Sequence, residues 1–135
     1  MYSLAITDEH PVVTGFRSET IEDKKIAYNA ISKQTGKVQD IVGHVVDIVN
    51  FHCSKQTYTD EQGVVTDFIK TILLLSDGTS YYAKSNILFR SLADFVSVFG
   101  MPDMWQGGAR CRIVMSGKGY ALEFIDFVQD EKTPF

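Results

Sequence analysis

The sequence predicts an all-β, β-rich fold with one helix: a five-stranded Greek-key barrel whose helix lies between strands three and four. Three observations carry this expectation. Alternating, β-branched runs fill the middle of the chain, tight-turn residues separate them, and after Ser85 the apolar period changes from two toward 3.6. At 135 residues, 44% hydrophobic and 22% charged, the chain suits one domain with its own core. That domain is expected over residues 1–128, with an N-terminal extension over about 1–37 and a short acidic tail at 129–135.

The extension is mixed in character. Residues 2–7 and 11–16 read as short strands around a turn at Asp8, Glu9 and His10, and residues 25–32 (KIAYNAIS) alternate as a strand does. From Val38 the pattern sharpens. Residues 41–51 (IVGHVVDIVNF) form a long strand in which Gly43 would tolerate a bulge or sharp bend. Residues 54–63 are polar and read as an extended loop or hairpin tip. Residues 64–75 (VVTDFIKTILLL) are the next strand, Asp77 and Gly78 mark a tight hairpin, and residues 80–84 return as the third.

Leu88, Leu92, Phe95, Val96 and Phe99 then recur on one helical face, with Ser91 and Asp94 as a candidate cap and Gly100 and Pro102 as the stop. Residues 101–108 read as a loop around the lone Trp105. Residues 109–115 and 120–128 close as a hairpin about Gly117 and Gly119. Three strands, a helix and two strands is the order of the oligonucleotide-binding (OB) barrel.

The net charge of −4 argues against a polyanion partner unless the charge is segregated. It is. Asp8, Glu9, Glu19, Glu22 and Asp23 crowd the first quarter, and Asp126, Asp130 and Glu131 the end. The stretch from Lys70 to Lys118 holds Lys70, Lys84, Arg90, Arg110, Arg112 and Lys118 against Asp77, Asp94 and Asp103, so it can present a locally positive face. Cys53 and Cys111 are too few for a disulfide framework, which points to a reducing, cytoplasmic setting. No apolar run approaches the roughly 20 residues that span a bilayer, and the opening MYSLAITDEHPVV lacks a secretory pattern, so no membrane partner is expected.

Chemistry finds little to work with. His10, His44 and His52 have no serine in a G-x-S-x-G elbow to activate, and His52–Cys53 with the distant Cys111 lacks metal-ligand spacing. Gly107–Gly108 and Gly117–x–Gly119 match no phosphate-binding loop. The expectation is therefore no catalysis, no metal and no cofactor.

What remains is rings and cations on strands, the combination that holds single-stranded nucleic acid: bases stack at about 1–3 kcal/mol each, and cations follow the phosphates. Tyr81 and Tyr82 point to opposite faces, as do Phe51 and His52, while Arg110 and Arg112 share one. The candidate contacts are Phe51, Tyr58, Lys70, Tyr82, Lys84, Trp105, Arg110, Arg112 and Lys118, with Trp105 and Tyr58 on loops at the barrel mouth. Phe89, Phe95, Phe99, Phe124 and Phe127 are assigned to the core. A second class stays open: a β-rich protein-interaction or virion assembly module, with Tyr81, Tyr82 and Trp105 as interface anchors.

KIAYNAIS through IVGHVVDIVNF, the run VTDFIKTILLLSDGTSYYAKS with its helix, and the closing hairpin resemble the single-stranded-DNA-binding proteins of bacteriophages over about residues 25–128. The resemblance implies an OB-fold protein that coats and protects single-stranded DNA during phage-like replication or recombination in the host cytoplasm. The chain's last residues, Asp130, Glu131, Lys132, Thr133, Pro134 and Phe135, are similar to the acidic Pro-Phe tails of bacterial single-stranded-DNA-binding proteins, although Lys132 departs from a pure acidic run. That likeness implies that Pro134 and Phe135 dock replication or recombination proteins. A homo-oligomer is compatible with the sequence.

Overall fold

A computed structural model describes residues 4–129. The acidic tail from Asp130 onward, with the docking element at Pro134 and Phe135, lies outside the described residues. The chain is β-rich. Its elements are β1 (Val12–Thr14), α1 (Ile21–Ser32), β2 (Gly36–Lys37), β3 (Val45–Thr59), β4 (Val65–Leu75), β5 (Ser80–Ala83), α2 (Asn86–Phe99), β6 (Ala109–Ser116) and β7 (Gly119–Phe127). Short 3₁₀ turns lie at Val38–Ile41 and Pro102–Met104.

One sheet curls into a half-barrel in the order β2-β5-β4-β3-β6-β7, and β1 adds to β3. β3 is the hub. It pairs with β4 along nearly its full length, with β6 through residues 45–48, and with β1 through residues 52–54. The register of β3 against β4 slips between Ile48 and Asn50, leaving Val49 as the extra residue of a bulge. Strand pairing puts Phe51, Cys53, Thr71, Leu73, Leu75 and Ala83 on the inner face. All are buried. A second slip, at Ile125 of β7, lets Phe124 and Phe127 both turn inward although they are three residues apart.

α2 closes the inner side. Ser85 caps its N-terminus by accepting from the Leu88 N–H, in place of the expected Ser91, and Leu88, Leu92, Phe95 and Val96 are buried. At the other end Gly100, at φ +87°, ends the helix where an L side chain is strained. Gly119 is a true close approach: a Cβ there would lie 2.6 Å from Ser85 Oγ and 2.7 Å from Ile87 Cβ, so only glycine brings β7 against the start of α2.

Several expectations are corrected. Residues 25–32 form the end of α1, not a strand. The reason is the capping box at its start, where Thr20 Oγ1 accepts from the Asp23 N–H and the Asp23 carboxylate accepts from the Thr20 N–H. Residues 4–7 are irregular. Residues 54–59 continue β3 instead of forming a loop, which puts Tyr58 on a strand. The structure has seven strands and two helices among the described residues, and α1 is the helix that the sequence reading lacked.

Phe51 and Trp105 are not surface contacts. Trp105 is 1% exposed and Phe51 fully buried; their rings stack at 6.0 Å, and Trp105 meets Phe95 edge-on at 5.2 Å. The indole N–H donates to the Gly100 carbonyl (2.8 Å), so the polar tip is satisfied inside. The Pro102–Met104 turn carries Trp105 into the core, where Phe95, Phe99, Phe124 and Phe127 complete the cluster.

Two outcomes follow from this packing. Trp105→Ala should lower unfolding free energy by about 3–5 kcal/mol in denaturant titration. Burial pushes the thiols of Cys53 and Cys111 up to about 12. Both should therefore react with a thiol reagent only at the rate of unfolding, and rapid labelling of the folded protein would contradict the packing.

Candidate functional site

The outer face of the sheet follows from the same registers, since residues directly opposite one another share a face. One rung runs Thr14, His52, Ile72, Tyr82, Lys37 across β1, β3, β4, β5 and β2. The next toward the hairpin tip pairs Ser54 with Lys70, then Gln56 with Phe68, then Tyr58 with Thr66. Strand alternation therefore brings Lys70, Tyr82 and Lys84 to one side of the molecule, and the extension of β3 adds Tyr58, which the sequence places on a loop. Tyr81, the neighbour of Tyr82, packs on the core instead.

Rings and cations on this face touch. Lys70 Nζ lies 4.7 Å from the centre of the Tyr82 ring, and Lys84 Nζ lies 5.4 Å from that of Phe68. Lys70 is half-buried. Its pKa is held below the ordinary lysine value, first by desolvation and then by the charge of Lys84.

Beside β5 and β2 lies a cleft of about 330 Å³. Lys37, Tyr82, Lys84, Ser85, Lys118 and Tyr120 line it. The β6–β7 turn supplies Lys118 and Tyr120, and the close approach at Gly119 holds that turn beside the start of α2. The three lysines are exposed, the two tyrosines half-buried, and no lining side chain is acidic. Asp40, the nearest carboxylate in sequence to Lys37, accepts from the Lys37 backbone N–H at 2.9 Å. Such a cleft can hold anionic groups on ammonium ions and a planar group against phenol rings.

Two other expected contacts lie elsewhere. Arg110 and Arg112 do share a face, but it is the outer side of β6, where they stand opposite Asp126 and Glu123 of β7. Arg110 is engaged by Asp47, Nε to Oδ1 at 2.8 Å and Nη2 to Oδ2 at 3.2 Å, with both side chains about three-quarters buried. A fork bound this way is a structural clamp between β6 and β3. Arg112 is exposed, beside Glu123 instead of beside the lysine cleft. Sequence reasoning missed Lys37, Phe68 and Tyr120. Phe68 was available from alternation, two residues before Lys70; Lys37 and Tyr120 each follow a glycine turn and depend on how distant segments meet.

Among the described residues no helix is long and apolar enough to cross a membrane, and no group of His, Cys, Asp and Glu stands together as a metal site would require. No protein-family model, curated protein or solved structure matches the chain.

His52, in the middle of the outer face, has a buried Nδ1 without a hydrogen-bond partner. Its pKa is held below the ordinary 6.5, chiefly by burial and secondarily by Lys70. The unfolded chain then binds the proton at a higher pH than the folded one. Stability is full above about pH 6.5 and is lost as pH falls through the window below it. His52→Gln should flatten this loss, read as Tm measured from about pH 7 down to about pH 5; parallel curves for the two proteins would contradict it.

Proposed function

We propose that this chain is an OB-type barrel that binds single-stranded nucleic acid, in keeping with the resemblance to phage single-stranded-DNA-binding proteins. What carries the reading is the acid-free cleft of Lys37, Lys84 and Lys118 with Tyr82 and Tyr120, continuous with the ring and cation rows of β4 and β5. The strand order supports the barrel type: a β3-β4-β5 meander, then α2, then a β6–β7 hairpin whose first strand returns to β3. In that fold the second and third strands and the loop between the last two form the nucleic-acid face. Here those elements are β4, β5 and the turn bearing Lys118.

Binding needs no chemistry and no cofactor. In the free protein Lys70 and Lys84 rest on aromatic rings, an attraction worth about 0.5–1 kcal/mol at exposed sites. A phosphate makes a stronger, charge-assisted partner and draws each ammonium aside. The ring it leaves is then open to a base. Phosphate neutralisation and base stacking are thereby coupled at the same side chains.

The interaction-module alternative loses two anchors, because Trp105 is in the core and Tyr81 packs on it. For the same reason Trp105 emission reports folding and not ligand contact, so binding is best followed by anisotropy of labelled oligo-dT. Tyr82→Ala should cost about 1–3 kcal/mol of affinity. Lys84→Glu with Lys118→Glu should weaken binding strongly and reduce the steepness of log K against log [salt], by about 0.7 for each phosphate contact removed. Arg112→Glu should change affinity far less. Equal effects at all these positions, or binding that ignores salt, would refute the assignment.

A further inference from the structure

The outer face is not open along its whole length. Ala30 and Ile72 are buried, at 4% and 2% exposure, yet both stand apart from the main core cluster. Ile72 lies on the outer rung between His52 and Tyr82, and Ala30 is on α1. The helix lies across this end of the sheet. Between them is a gap of about 450 Å³, lined by Ile26, Asn29, Ala30 and Lys33 from α1 and by Leu74 and Ser80 from the sheet.

α1 is weakly seated for a helix in that position. Of its twelve residues only Ala30 is buried, while Ile21, Ile26 and Tyr28 are 68%, 48% and 71% exposed. A helix of this length is marginal in water without packing, so its ends matter. The N-terminus has its capping box. The C-terminus has Gln34, whose side-chain amide donates to the Ala30 and Ile31 carbonyls. The carbonyl oxygen of the same side chain accepts from Lys70 Nζ at 3.3 Å. Lys70 thus does two things: it sits over the Tyr82 ring of the proposed track, and it holds the capping group of the helix that covers the track's far end.

We infer that α1 is a strap latched by the Lys70–Gln34 hydrogen bond, and that a nucleic-acid phosphate taking Lys70 from Gln34 releases the strap and lengthens the binding track. The inference rests on the single-strand-binding reading and adds its regulation. The exchange favours release, because an ionised phosphate outcompetes a neutral amide for an ammonium ion. Losing Lys70 also frees Gln34, which now holds the helix end without a tie to the sheet. Uncovering the outer face presents Ile72 and Leu74 for apolar contact with bases and lets water reach the unpartnered His52 Nδ1. The strand would then run past Tyr82 instead of stopping beside it.

The test uses the full chain and hydrogen exchange read by mass spectrometry, free and saturated with oligo-dT of about 4 and about 16 nucleotides, the span of known OB footprints. With the longer oligomer, amides of Ile21–Ser32 should exchange several-fold faster while those of Val65–Leu75 and Ser80–Ala83 slow; with the shorter, only the strands should slow. Strand protection with unchanged or slower α1 exchange would overturn the strap and leave the binding site standing. No protection and no binding would overturn both. Two variants read the latch separately. Lys70→Met removes the latch but leaves the Gln34 amide on the Ala30 and Ile31 carbonyls, so α1 exchange in the free protein should rise several-fold. Gln34→Ala removes it and should speed α1 exchange in the free protein without weakening the long oligomer. Unchanged α1 exchange in Lys70→Met, with Trp105 emission unaltered, would contradict a latch.

Discussion

The parity of β3 governs both the inside and the outside of this protein. Fifteen consecutive residues, Val45–Thr59, pair with three strands, so each side chain's face is fixed at once by several ladders. A one-residue slip would exchange Phe51 and Cys53 with His52 and Ser54, placing polar groups in the core and a phenylalanine in water. The bulge at Val49 makes the arrangement possible. It lets the strand serve β6 before the bulge and β4 after it while keeping Ile48 and Phe51, three residues apart, both buried. The lysine and tyrosine rows are the other side of the same constraint: Lys70 and Tyr82 face outward because Thr71, Leu73 and Ala83 must face inward.

An acidic chain can present a basic surface because its acids and bases are unevenly placed, and several acids are held by bases away from the cleft. Asp47 clamps Arg110, Asp8 and Asp67 hold Lys55, and Asp103 reaches Arg17. The first pair is partly buried, so leaving either partner alone would cost more than the pair contributes. Lys37, Lys84 and Lys118 come from three separate segments and meet at a cleft lined by no carboxylate. Net charge therefore describes the molecule poorly here. Its distribution, set by topology, is the quantity a polyanion would sense at a distance of about 8–10 Å in physiological salt.

The sequence was most legible where one local signal had one reading. The Asp77–Gly78 hairpin, the apolar face of α2 and the closing hairpin are local and are present as expected. α1 was misread because KIAYNAIS alternates over a short span, while the decisive cap, Thr20 with Asp23, lies before it. Trp105 was placed on the surface because its neighbours are glycine, glutamine and proline; nothing local says that a 3₁₀ turn rotates the indole into a cluster of phenylalanines. The fate of Arg110 was invisible for a different reason. Its partner Asp47 is 63 residues away, and only strand pairing brings them together. The shared direction of Lys70, Tyr82 and Lys84 was legible because alternation orients a side chain even before its neighbours are known.

The most direct test is photo-crosslinking of the full chain to 5-bromouracil-substituted oligo-dT, with the attached peptides identified by mass spectrometry. Adducts should fall on Tyr82 and Tyr120 of the cleft first and on Phe68 and Tyr58 of the outer face next. Adducts confined to the Arg110 side of β6, or scattered without regard to face, would contradict it.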